Sequence, residues 1–109
     1  MRGLTLKQLQ AVAAIARRGT ITGAAGELNV TPAALTSRLK QLEEEVGLAL
    51  FDRTPRGLRP TDAGLGMLRT VDSINVALET CAARLEALKG LSGGRVSIGV
   101  VSTAKYFRQ

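Results

Sequence analysis

Thr31, Thr36 and Ser37 bring three hydroxyls, and Arg38 and Lys40 two cations, into one stretch, NVTPAALTSRLKQLEEEVG, residues 29–47. Arg53, Arg56 and Arg59 then fall within a seven-residue run that contains no acid. Groups of these kinds suit hydrogen bonding to a polyanion: phosphate oxygens for the arginines, base edges for shorter side chains. They do not suit catalysis. Histidine is absent and Cys81 is the one cysteine, which excludes histidine acid–base chemistry, Cys/His zinc sites and internal disulfides. No nucleophile–base pair and no phosphate-cradling glycine loop can be found. The residues therefore describe a non-enzyme with no cofactor and no metal.

Charge points the same way. The chain carries a formal +6 with a pI near 10.5, and an anionic partner follows naturally from that excess. Residues 1–60 hold nine lysines and arginines against five acids, residues 61–109 six against four. At 109 residues and 45% hydrophobic, the chain suits one small folded domain. No stretch reaches a membrane span, and the N-terminal apolar residues are interrupted by Lys7 and glutamines, unlike a signal core. The expected location is the cytoplasm, with which a lone thiol agrees.

The polar groups need elements to hold them. Leu6, Leu9, Val12, Ala13 and Ala16 predict a first helix over residues 5–18, stopped by Gly19. Arg17 and Arg18 at its end read as solvated. Thr20 caps a short second helix through Leu28, in which Gly23, Ala24, Ala25 and Gly26 would let a neighbouring helix approach closely. Asn29 suits the left-handed turn residue. Thr31 caps the third helix, Pro32 takes its first position, and Gly47 ends it. Leu35, Leu39, Leu42 and Val46 form its apolar stripe. Ala33, Ser37, Lys40 and Glu44 fall on the reverse, with Thr36 and Gln41 flanking.

Beyond Gly47, Leu48, Leu50 and Phe51 suggest a short strand or anchor. Thr54-Pro55-Arg56-Gly57 is a turn signal and Leu58-Arg59-Pro60 a return strand, which together make a small wing. Thr61 caps a long helix, with Asp62 near its N-terminus. Met67, Val71, Ile74, Leu78, Cys81, Leu85 and Leu88 alternate four and three apart, as a coiled-coil seam does. A helix over 62–89 would be roughly 42 Å long, too long for so small a body to cover, so the seam is expected to bury itself against a second chain. Cys81 is read as a seam hydrophobe. A Gly/Ser linker follows, then a strand-like run, Val96–Val101.

Helix, tight turn and capped helix make a helix-turn-helix, supported by Ala25 at the crossing, Asn29 in the turn, and Val30 and Leu35 in the core. The fold class is mainly α: a winged helix-turn-helix followed by a long dimerisation (linker) helix. Roles follow from position. Thr31 and the helix N-terminus should hold a phosphate through backbone N–H groups. Pro32 and Ala33 suit a thymine methyl, Thr36 and Ser37 base edges or phosphate, and Lys40 a guanine edge or the backbone. Arg38 has no acidic neighbour within its helix and is read as a phosphate contact. Arg56 is placed against DNA from the wing with Arg59, while Arg53 either contacts DNA or braces the hairpin.

The segment GTITGAAGELNVTPAALTSRLKQLEEEVGLALFDRTPRGLRPTDAG resembles the N-terminal domain of the LysR-type bacterial transcription regulators. Ala24-Ala25, Leu28, Val30, Leu42-Glu43, Gly47, Leu50-Phe51, Arg53, Arg56 and Thr61-x-Ala63-Gly64 carry the likeness, which extends over residues 4–89. It implies a winged helix-turn-helix over residues 1–60, a dimerising linker helix over 61–90, and over 91–109 a hinge and the first strand of an effector-binding domain. GVVSTAKYF is similar to the subgroup that controls carbon-dioxide-fixation (Calvin cycle, RuBisCO) operons. Two departures matter: Pro32 stands where the family often has glutamine and Ser37 where it often has arginine, so its usual base preferences do not transfer. The implied partners are double-stranded DNA bearing an interrupted inverted repeat and a second copy of the chain; dimer and tetramer both stay open. A small-molecule effector would act only through the further domain. The alternatives are a sequence-indifferent architectural DNA-binding protein and a coiled-coil module that binds protein alone.

Overall fold

The computed structural model describes residues 3–93. Helices α1 (Leu6–Arg18), α2 (Ile21–Leu28) and α3 (Pro32–Val46) are followed by strands β1 (Phe51–Thr54) and β2 (Gly57–Pro60) and by helix α4 (Asp62–Gly93). This is a winged helix-turn-helix with a long C-terminal helix. The chain divides into two compact units between Val71 and Asp72.

Local chemistry sets each helix end. Thr5 caps α1 in a reciprocal box: its hydroxyl accepts from the Gln8 N–H at 3.2 Å, and the Gln8 amide oxygen accepts from the Thr5 N–H at 2.9 Å. The first helix thus starts one residue later than the apolar spacing predicts, because Thr5 is its cap. Thr20 and Thr31 cap α2 and α3 through the N–H groups of Gly23 and Ala34. Asn29 closes α2 at φ 58°, and Gly47 closes α3 at φ 74°.

The core joins α1, α2, α3 and the foot of the wing: Val12, Ile15, Ala24, Ala25, Leu35, Leu42, Leu50 and Phe51 are buried together. Leu39 and Val46 pack beside them, so the stripe on α3 faces inward as its spacing predicts. Met67 and Leu68 from the first turns of α4 pack on the same cluster. Ala24 and Ala25 are the small residues that permit the α2 contact; Gly26 faces open space, contrary to its expected role in close approach. Leu48 is not an anchor either, being 58% exposed while Leu50 is 1%. Leu50 takes the inward place because its backbone is fixed on both sides.

The antiparallel strands pair Phe51 with Pro60, Asp52 with Arg59, Arg53 with Leu58 and Thr54 with Gly57. Thr54 organises the two-residue turn: its hydroxyl donates to the Gly57 carbonyl and accepts from the Arg56 N–H. Gly57 has φ 123°, and a Cβ there would lie 2.3 Å from the Gly19 carbonyl oxygen. Only glycine lets the turn end of the wing press so closely on the α1–α2 corner, where the Leu58 N–H donates to that oxygen at 2.8 Å.

At the open end, the Glu43 carboxylate accepts from the N–H groups of Leu50 (2.6 Å) and Phe51 (3.4 Å). The Thr61 hydroxyl donates to the Ala49 carbonyl at 2.6 Å and its N–H to the Leu50 carbonyl at 3.0 Å. Gly64 is buried directly on that carbonyl. Helix α4 runs through Gly90–Gly93, where a Gly/Ser linker is expected; extending an established helix adds a hydrogen bond for each residue fixed, which offsets the glycine cost of about 1 kcal/mol. The strand expected at Val96–Val101 lies outside the described residues.

Candidate nucleic-acid interface

With Leu35 and Leu42 buried, the helical period turns Pro32, Ala33, Thr36, Ser37 and Lys40 outward, and all five are exposed. The row begins at the N-terminus of α3, where the cap leaves two backbone donors open. The Ala34 N–H goes to the Thr31 hydroxyl, the Leu35 N–H to the Thr31 carbonyl, and Pro32 has none. The N–H groups of Thr31 and Ala33 are without a partner among the described residues, so they are the backbone groups this terminus offers to an anion. Thr31 itself is exposed but serves as the cap.

Arg38 and Lys40 are exposed, and neither forms an ion pair among the described residues. Arg38 sits on the rim of a groove between α1 and α3 floored by Val12, Ile15, Leu35 and Leu39. The outer row of α3 therefore combines two hydroxyls, a methyl, a proline ring and a cation, a set able to meet both base edges and phosphates.

The wing adds its arginines. Arg53 is paired in register with Leu58 and lies on the strand face it shares with Phe51; Arg59 is opposite Asp52 on the other face. Arg56 occupies the turn. All three are exposed, and none has a carboxylate within ion-pair distance among the described residues. The Gly57–Gly19 contact holds Arg56 beside the α1–α2 corner.

At that corner the reading of Arg17 and Arg18 as merely solvated is corrected. Both pair with Glu27: Arg17 through two nitrogens, Arg18 through Nε at 2.9 Å. Hydrogen bonds from Arg17 first and Arg18 second lower the Glu27 carboxyl to about 2, and the Arg17 guanidinium is correspondingly raised. Gly23 makes room. A Cβ there would lie 3.2 Å from the Arg18 Cβ, so the Arg18 stem passes over Gly23 toward Glu27, four residues on along the same face of α2. That spacing is the signal in the sequence that could have revealed the pair. Glu43 was likewise no candidate from its type alone, since an acid beside a row of DNA contacts has no evident use until the strand it holds is known.

The seam residues divide by surroundings. Met67 packs on the core and Val71 is buried. Ile74 is half-buried, Cys81 is exposed, and Leu78, Leu85 and Leu88 are each more than half exposed. Among the described residues no helix is long and apolar enough to cross a membrane.

Comparison with known proteins accords with this arrangement. Residues 6–65 match the family profile described as bacterial regulatory helix-turn-helix protein, lysR family. The chain is 45% identical over 107 residues to the HTH-type transcriptional regulator CbbR of Rhizobium meliloti (strain 1021), covering 98% of this chain and 34% of that protein. It is 38% identical over 104 residues to the RuBisCO operon transcriptional regulator of Allochromatium vinosum, covering 95% and 34%. The chain thus spans about a third of the length of the curated relatives it matches. Among solved structures, a complex of the CbnR DNA-binding domain with DNA superposes with a TM-score of 0.64 at 28% identity, covering 79% of this chain and 99% of that one. The chain that carries the exposed α3 row and the arginine-bearing wing belongs to the lysR family of bacterial regulatory helix-turn-helix proteins.

Proposed function

We propose that this chain binds double-stranded DNA sequence-specifically, as a homodimer, and controls transcription of carbon-fixation genes. The observation that carries the reading is the exposed row Pro32, Ala33, Thr36, Ser37 and Lys40 on α3, next to cations at Arg38, Arg53, Arg56 and Arg59 that have no carboxylate partner among the described residues. In this reading α3 enters the major groove, the row meets base edges, and the wing arginines follow phosphates or the adjacent minor groove. Leu78, Leu85 and Leu88 meet a second copy of the chain, so that two recognition helices reach the DNA together. Residues 1–60 then serve recognition and 61–90 dimerisation. The regulated genes are inferred from relatives named as regulators of the RuBisCO operon.

Selection of bound fragments from the genome of the bacterium that encodes the chain tests both parts. The expected result is enrichment of fragments upstream of carbon-fixation genes, each with an interrupted inverted repeat. Enrichment elsewhere would reject the regulated genes, and even recovery of all fragments would reject sequence-specific binding.

A further inference from the structure

We infer that Glu43, at the distal end of the recognition helix, is the positioning residue that aims Arg56, at the turn of the wing, at the DNA. The inference rests on the DNA-binding reading. Glu43 is half-buried, and its carboxylate accepts the Leu50 and Phe51 N–H groups at 2.6 and 3.4 Å. It does so one residue before and at the first residue of β1. Neither donor has another acceptor outside the strand pairing. A carboxylate bonded to backbone N–H groups makes a charge-assisted link stronger than a neutral one. Here it ties the rigid body of α3 to the foot of the hairpin.

The rest of the hairpin is placed from the other end. The Leu58 N–H and Gly57 Cα rest on the Gly19 carbonyl. Two fixed points, one on α3 and one on the α1–α2 corner, define a line along the wing and hence the place of Arg56 between Pro55 and Gly57. With Glu43 removed, the hairpin loses its tie to α3 and is left to the corner contact, the Thr61 bonds to Ala49 and Leu50, and the core side chains Leu50, Phe51 and Leu58. Glu43 also explains an apparent conflict: an acid between Lys40 and the basic wing would repel phosphate, but this one is turned into the fold and occupied by two donors.

A double-mutant cycle in the 109-residue chain tests the role. Glu43→Ala, Arg56→Ala and the pair are titrated against the same selected duplex. Glu43→Ala is expected to weaken binding about tenfold in the parent but no more than about twofold beside Arg56→Ala, because a residue that acts through Arg56 has nothing to position once it is gone. Glu43→Gln, which keeps an acceptor oxygen, is expected to lose no more than about threefold. Independent, multiplying losses, or a glutamine variant as weak as the alanine one, would overturn the inference. Where Glu43→Ala does not fold, Glu43→Asp, too short to span both N–H groups, takes its place with the same two outcomes.

Amide hydrogen exchange without DNA separates this inference from the reading beneath it. Leu50, Phe51 and Leu58 should exchange faster in Glu43→Ala while Val12, Ile15 and Leu35 keep their protection. Unchanged wing amides would refute the bracing whatever the DNA result. Wing amides that loosen in a chain preferring no duplex would refute the DNA-binding reading and leave the bracing intact.

Discussion

Thr36 and Ser37 are short, exposed and in the first turns of α3; in the proposed docking their hydroxyls would reach base edges only at close approach and would lose their bonds when the base changes. Either one changed to alanine should alter the order in which duplexes are preferred. Arg56→Ala should weaken every duplex alike and reduce the slope of log affinity against log salt by about 0.9 for the phosphate lost. Titrations on selected and scrambled duplexes at several salt concentrations distinguish the two, and equal losses on both duplexes from Thr36→Ala or Ser37→Ala would rule out base reading by these groups. Glu27 makes a separate prediction. Its carboxyl sits lower in the folded chain than in an unfolded one, so the stabilisation is complete above the ordinary carboxylate range and is lost as pH falls toward about 2. The difference in urea midpoint between the parent and Glu27→Gln should therefore shrink from pH 6 to pH 2.5; a constant difference would remove the ion pair as its cause. The exposed α3 row was legible because helical period alone separates it from Leu35 and Leu42. The uses of Glu27 and Glu43 were harder to read, since each joins two different elements, α2 to α1 and α3 to the foot of the wing, and only the space at Gly23 hints at the first.

The elements meet through glycines and backbone carbonyls rather than through large side chains at their edges. Gly57 rests on the Gly19 oxygen and Gly64 on the Leu50 oxygen, and at each a Cβ would stand 2.3 Å from that atom. Backbone cannot yield as a flexible side chain does, so Gly57→Ala and Gly64→Ala should each destabilise by about 2 kcal/mol or more. Gly66, inside α4, is the control, because a Cβ there would meet nothing within 4 Å. Gly66→Ala should stabilise by about 0.5–1 kcal/mol, as alanine does in an open helix position. Thermal unfolding of the three variants checks the pattern, and a tolerated Gly57→Ala would mean that the wing does not press on the corner. All four helices and the hairpin could be read from caps, turn residues and apolar spacing, because those signals are local. Where the reading failed, the answer was tertiary. Leu48 and Leu50 are chemically alike, and only the ties from Glu43 and Thr61 to the segment Ala49–Phe51 decide that Leu50 goes in and Leu48 stays out. Gly26, similar in sequence to its neighbours, happens to face open space.

At the scale of the whole molecule the account depends on pairing. Leu78, Leu85 and Leu88 are 57%, 56% and 60% exposed in a single chain, at the spacing of a coiled-coil seam. Leu78→Arg with Leu85→Arg should convert the chain to a monomer in sedimentation equilibrium. Affinity for an inverted repeat should fall by at least about a hundredfold as the second contact ceases to be intramolecular, while affinity for a lone half-site should hardly change. The apolar period from Met67 to Leu88 is legible in the sequence; that Met67 and Val71 are covered by the chain itself is not. The same period is what leads to the expectation of a second chain along it, an expectation the sedimentation measurement decides. Selection of duplexes from a random pool by the purified chain, followed by footprinting of the winners, tests the central claim most directly. The account predicts two half-sites in inverted orientation, protected on one side of the duplex with centres about one helical turn apart, roughly 34 Å; a single unpaired footprint, or no sequence enriched over the starting pool, would contradict it.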